Sequence, residues 1–126
     1  MRTRLAFAAT IFCVALGAAA LPVLGHHSGR VARAAAATHT VTFGEYFYRP
    51  EKLTINAGDS VRFTNIGKIE HTVADSTKSG TVLSKIIKPR PLSHGKSQTV
   101  TFERRGIVRY VCTFHPDMMR GIIVVR

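Results

Sequence analysis

Tryptophan is absent from the 126 residues, and acidic side chains are scarce: seven Asp/Glu against eighteen Lys/Arg leave a formal net charge of +11. Cysteine occurs only twice, as Cys13 and Cys112. Two cysteines so placed cannot build the disulfide framework of a small secreted scaffold. The length allows one domain and little more. Helical periodicity is missing from residue 38 onward, which excludes a helical bundle. No Ser/His/Asp arrangement is present, and no second His/Asp/Glu set for a catalytic metal. The chain therefore offers no candidate residues for an enzyme and is expected not to be one. Positive charge without a recognition motif also argues against nucleic acid as a partner.

What is present begins with an apolar N-terminus. "MRTR" is basic, "LAFAATIFCVALGAAALPVLG" is apolar, and "HHSGRVARAAAA" is of low complexity. This order is that of a secretory signal, with cleavage after Ala20 or after Ala37. The competing reading is a retained anchor. Residues 5–24 supply the roughly 20 apolar positions that a membrane span needs, and the basic residues before them favour a cytoplasmic N-terminus. Phe12 is too bulky to precede a lipidated Cys13. Either way, residues 1–37 are expected to be signal or anchor plus tether. Residues 38–126 are expected to form a domain outside the cytoplasm, periplasmic or on the outer membrane face.

In that domain apolar and polar residues alternate in short runs. Val41/Phe43, Leu53/Ile55, Val61/Phe63, Val100/Phe102 and Val108/Tyr110/Cys112 each share a face, and "GIIVVR" closes the chain. Turn signals separate the runs: Arg49-Pro50, "NAGD" (56–59), "NIG" (65–67), "SHGK" (93–96) and "RRG" (104–106). This spacing predicts an all-β, antiparallel sandwich or barrel. The two prolines of residues 76–97 argue against a central strand there. Such a domain of ~90 residues can bury one modest core.

Strand alternation also orients the lone thiol. Arg109 must face solvent, so Cys112 points inward, at the end of its strand and at one pole of the sandwich. His115 lies in the following loop, and His71 begins the "HTVAD" strand, so both can reach that pole. Met118 and Met119 follow. Two imidazoles, a thiolate and a weak axial thioether form the ligand set of blue-copper electron transfer. Zinc would favour a closed set without a thioether.

At this point the sequence resembles the cupredoxins, in particular the small amicyanin–plastocyanin–azurin group. "GEYFYRPEKLTINAGDSVRFTNIGKIEHTV" is similar to the family's first half, and "YVCTFHPDMMRGIIVV" to its ligand loop and last strand. The resemblance covers nearly all of residues 39–126. It implies a Greek-key β-sandwich of about eight strands, one copper ion and reversible one-electron transfer. Carried over by position, the ligands are His71, Cys112, His115 and one methionine. Counting forward from His115 points to Met118, as in amicyanin. Counting back from the last strand points to Met119, which also leaves Ile123 and Val125 inward and Arg126 outward. Met119 is the preferred axial ligand and Met118 the alternative.

Asn65 and Thr72 are expected to hydrogen-bond around the site, while His39 and His94 are surface residues and His26 and His27 belong to the signal or tether. Glu70 and Asp117 depart from the family's apolar docking face by placing two carboxylates near it. From Thr38 onward, fourteen Lys/Arg against seven Asp/Glu leave +7, which suits an acidic redox partner or an anionic membrane. The expected function is that of a monomeric electron carrier passing electrons through His115 between partner proteins. The alternative is a module for copper delivery or storage, against which a buried Cys112 argues.

Overall fold

The computed structural model describes residues 33–126. Eight strands run in chain order: β1 (Thr38–Gly44), β2 (Phe47–Arg49), β3 (Lys52–Ile55), β4 (Ser60–Asn65), β5 (Ala74–Ser76), β6 (Ser97–Thr101), β7 (Gly106–Val111) and β8 (Arg120–Val125). They form two four-stranded sheets, ordered β2-β1-β4-β6 and β3-β8-β7-β5. The expected Greek-key β-sandwich is the observed architecture. It is not wholly antiparallel, however. β1 pairs with β4, and β3 with β8, in parallel. Parallel neighbours need a crossover connection, and here the crossovers carry the chain from one sheet to the other.

The period-2 pattern builds the core directly. Val41 and Phe43 of β1 and Val61 and Phe63 of β4 are fully buried on the inner face of the first sheet. Val108 and Tyr110 of β7 and Ile123 and Val125 of β8 oppose them from the second. Tyr110 meets Phe63 and Tyr48 edge-on, with ring centroids 5.3 and 4.8 Å apart, a favoured aromatic geometry. Gly121 makes room for this ring, because a Cβ there would collide with the Tyr110 phenol.

The two poles differ in chemistry. At one, Asn56–Asp59 closes a turn through an Asp59 N–H to Asn56 carbonyl bond of 3.0 Å. Gly58 there has φ +96°, a conformation open to glycine. Asp59 accepts hydrogen bonds from the Ala37 and Asn56 amides and pairs with His39 at 2.9 Å. These contacts, led by the Ala37 amide, hold its carboxyl down to about 2. The C-terminal ends of β1, β4 and β7 and the start of β8 gather at the other pole, which holds the candidate site.

Two local expectations change. His71 does not begin a strand. It exchanges both backbone hydrogen bonds with Leu92, as an isolated bridge, and the strand that follows is β5. Residues 77–96 contain no strand, as the prolines suggested, but they are pinned from beneath. The buried Asp75 carboxylate accepts the amides of Lys85, Ile86 and Ile87 at 3.2, 2.9 and 2.7 Å. Among the described residues no helix is long and apolar enough to cross a membrane. The signal or anchor expected in residues 1–37, including His26 and His27, lies almost wholly outside the described residues.

Candidate metal centre

Cys112 follows β7 directly, and its amide donates to the Met119 carbonyl at 3.1 Å, extending the β7–β8 ladder by one step. Between these two residues the chain turns back on itself. His115 N–H reaches the Cys112 carbonyl at 3.1 Å, and Met118 and Met119 both donate to the His115 carbonyl. These bonds return His115 to the side of Cys112 and set the Met119 backbone against that of Cys112. His71 arrives from the β4–β5 connection, held by its bridge to Leu92.

The donor atoms of His71, Cys112 and His115 lie within 4.8 Å of one another. Cys112 Sγ is 3.7 Å from His71 Nδ1 and 3.8 Å from His115 Nδ1. Bonds of ~2.0 Å to nitrogen and ~2.3 Å to sulfur separate the donors of one bound ion by about 3.6–3.8 Å. The spacing therefore suits a single ion. Met119 is fully buried, whereas Met118 is 59% exposed. Met119 and the inward Ile123 and Val125 share one parity along the chain.

The surroundings fix the donors. Thr72 directs its amide at Cys112 Sγ from 3.4 Å and its hydroxyl from 3.7 Å, and that hydroxyl also takes the Thr113 amide at 2.7 Å. Asn65 donates to the carbonyls of Ile69 and Leu92 at 2.8 and 2.7 Å and accepts the Gly67 amide at 2.8 Å. It thus ties the His71 loop to the segment bridged with His71. Tyr48 donates to the Thr72 carbonyl at 2.6 Å. His94 and His39, read as surface residues, respectively bond the Gly67 carbonyl and Asp59.

Burial first, and His115 second, pull the His71 imidazolium below the usual histidine range; Glu45 opposes them. A neutral ring is the form that binds metal. Its far nitrogen, Nε2, is buried without a hydrogen-bond partner. Glu45 Oε1 lies 3.7 Å away, an electrostatic contact rather than a hydrogen bond. Glu45 also accepts the Ile69 amide at 2.7 Å and the Lys68 amide. The Ile69 amide is the main reason its carboxyl is held below the ordinary range.

Sequence reasoning missed Glu45 and its neighbour Tyr46, whose ring meets His115 edge-on at 4.6 Å between centroids. Their one sequence signal is position: both follow Gly44, the last residue of a strand ending at this pole. Glu70 and Asp117 are exposed, with Glu70 accepting from Ser93 and Asp117 beside Arg120. They do not make the pole uniformly polar. Tyr46, Ile66, Ile69, Phe114 and Met118 are all exposed on the connections that form it.

A β-sandwich with a thiol, two imidazoles and a buried thioether gathered at one pole defines a cupredoxin. Residues 35–126 match the family model of copper binding proteins, plastocyanin/azurin family. Amicyanin-alpha of Methylorubrum extorquens is 31% identical over 95 residues, 75% of this chain and 77% of that protein. Amicyanin of Paracoccus versutus is 32% identical over 78 residues, 62% of this chain and 57% of that protein. Among solved structures, a purple cupredoxin from Nitrosopumilus maritimus matches with a TM-score of 0.63 at 27% identity, covering 70% of this chain and 99% of that one. An amicyanin structure matches with a TM-score of 0.60 at 26% identity, covering 70% and 81%. The chain belongs to the plastocyanin/azurin family of copper-binding proteins, and His71, Cys112, His115 and Met119 are placed to form its copper site.

Proposed function

We propose that this protein is a one-electron carrier outside the cytoplasm, with His71, Cys112, His115 and Met119 as ligands to one copper ion. The observation that carries this reading is the convergence of a buried thiol with two imidazoles, beside a buried thioether. Bound copper would supply the Cu(I)/Cu(II) couple. The thiol and thioether suit Cu(I), the imidazoles also suit Cu(II), and one set serves both states. The protein's contribution is to hold the donors still. The Leu92 bridge fixes His71, the β7–β8 turn bonds fix His115 and Met119, and Thr72 fixes the sulfur. His115 is half-buried, with Tyr46 against its ring, and it is the proposed exit for the electron. The apolar side chains around it would dock a redox protein, with Glu45, Glu70 and Asp117 adding local negative charge. The apolar N-terminal stretch and the kinship with amicyanins support a periplasmic or outer-face location. The net charge of +7 supports an acidic partner.

Copper transfer to a chelator distinguishes this reading from copper delivery or storage. The Cu(I)-loaded chain is mixed with a strong Cu(I) chelator, and separately with a one-electron oxidant. A carrier exchanges its electron within seconds, reversibly, and keeps its copper far longer. Copper loss to the chelator faster than electron exchange would instead favour delivery.

A further inference from the structure

A small cleft lies on the outer face of the sheet β3-β8-β7-β5. Its lining includes Ser76, Thr77, Lys78, Arg109 and Arg120, and its volume is about 100 Å³. Register explains why these residues meet. Ser76 of β5 sits opposite Arg109 of β7, and Val111 sits opposite Arg120 of β8. Residues two apart on a strand share a face, so Ser76, Arg109 and Arg120 all project from the side opposite Tyr110 and the core. The turn after β5 folds over them. Gly80 N–H closes onto the Thr77 carbonyl at 3.1 Å, and the Arg120 guanidinium reaches the Ser79 carbonyl at 3.5 Å.

The chemistry of the cleft is one-sided. It has three cationic side chains and no carboxylate among its lining residues. Asp117 touches Arg120 from outside, at 3.4 Å, and is 93% exposed. A second observation is independent of the charge. Ser76 is more than nine-tenths buried, and its hydroxyl has no hydrogen-bond partner. Buried polar side chains are nearly always paired. The volume corresponds to about three waters at ~30 Å³ each, which is room for one small polyatomic ion.

We propose that this cleft is an oxyanion site taking a phosphate group, either free inorganic phosphate or the phosphate of a lipid headgroup. Arg109 and Arg120 offer planar donor forks matched to phosphate oxygens, and Lys78 offers a compact charge. The Ser76 hydroxyl donates to a further oxygen, so four groups address a ligand with four oxygens. Arg120 also donates Nε–H to the Pro116 carbonyl at 2.9 Å, inside the loop that carries His115 and Met119. An occupant would therefore add negative charge against the ligand loop.

The test is an amide NMR titration of the full chain without copper, so its outcome does not depend on the copper reading. Inorganic phosphate is added at ionic strength held constant with chloride. In a second arm, vesicles of phosphatidylglycerol are compared with vesicles of phosphatidylcholine. Saturable shifts confined to Ser76–Gly80, Arg109–Val111 and Arg120 are expected. Saturation by phosphate identifies the free anion; the same local response only to phosphatidylglycerol identifies the headgroup. Arg109→Gln should weaken binding at least ~10-fold, Lys78→Gln and Ser76→Ala ~3- to 10-fold. Lys78 is exposed, so that variant decides the matter if Arg109→Gln does not fold. The proposal is overturned by no response in either arm. It is equally overturned by shifts that rise linearly across Lys85, Lys88 and Arg104, or by unchanged affinity in Lys78→Gln and Ser76→Ala.

Discussion

Met118 and Met119 are adjacent in sequence and opposite in environment, one largely exposed and the other fully buried. Met119→Leu should therefore raise the reduction potential and change the copper spectrum, because the axial ligand tunes both. Met118→Leu should leave both close to wild type; voltammetry and absorption showing the reverse pattern would make Met118 the ligand. The nearby carboxylates are ranked by position. Glu45 is 3.7 Å from His71 Nε2, so Glu45→Gln should raise the potential, on the order of tens of millivolts. Glu70→Gln and Asp117→Asn should shift it the same way but less, and least at high salt, since exposed charges are screened. A downward shift at low salt contradicts this ordering. Cys112, His115 and the Met119 parity were legible because the C-x2-H spacing and strand alternation are local. His71, 41 residues from Cys112, was legible through the family resemblance of the segment that carries it. Glu45 and Tyr46 were not, because Glu45 finds the Ile69 amide 24 residues away, a contact that only the folded pole creates.

Strands β1, β4, β7 and β8 could be read directly, since each buries one face and alternation records it. Their pairing could not. Parallel contact of β1 with β4 and β3 with β8 depends on which sheet each connection crosses to, and period-2 patterning is silent on that. The loop 77–96 shows the same limit. Nothing in its own residues reveals that Asp75 anchors it from a strand. Asp75→Ala should remove the acceptor for three amides, of which only that of Ile87 is fully buried, and destabilise the copper-free chain by about 1–3 kcal/mol, the cost of one buried group left unpaired. Gly121→Ala should cost about 1–3 kcal/mol by forcing a methyl group against Tyr110. Urea unfolding measures both. Wild-type midpoints in either variant would remove the clamp, or the close approach, from the account.

At the scale of the molecule, acid sensitivity should centre on the pole away from the ligands. Asp59 has a folded value of about 2, against ~3.9 for an unperturbed aspartate. A depressed folded value contributes stability that is fully present above the unfolded one. That contribution is lost as pH falls from about 4 toward 2. Asp59→Asn should therefore flatten the acid limb of stability of the copper-free chain over that window. Urea midpoints that fall as steeply in the variant as in wild type would assign the limb to other groups. The central claim, a thiolate-ligated copper that cycles one electron, is tested most directly by the visible absorption spectrum of the copper-loaded chain. Spectra are taken oxidised, reduced and reoxidised, beside Cys112→Ser. We expect an intense band that bleaches on reduction, returns on reoxidation and is absent from the Cys112→Ser variant. A band that survives that substitution, or a wild-type chain that shows none, would contradict the account.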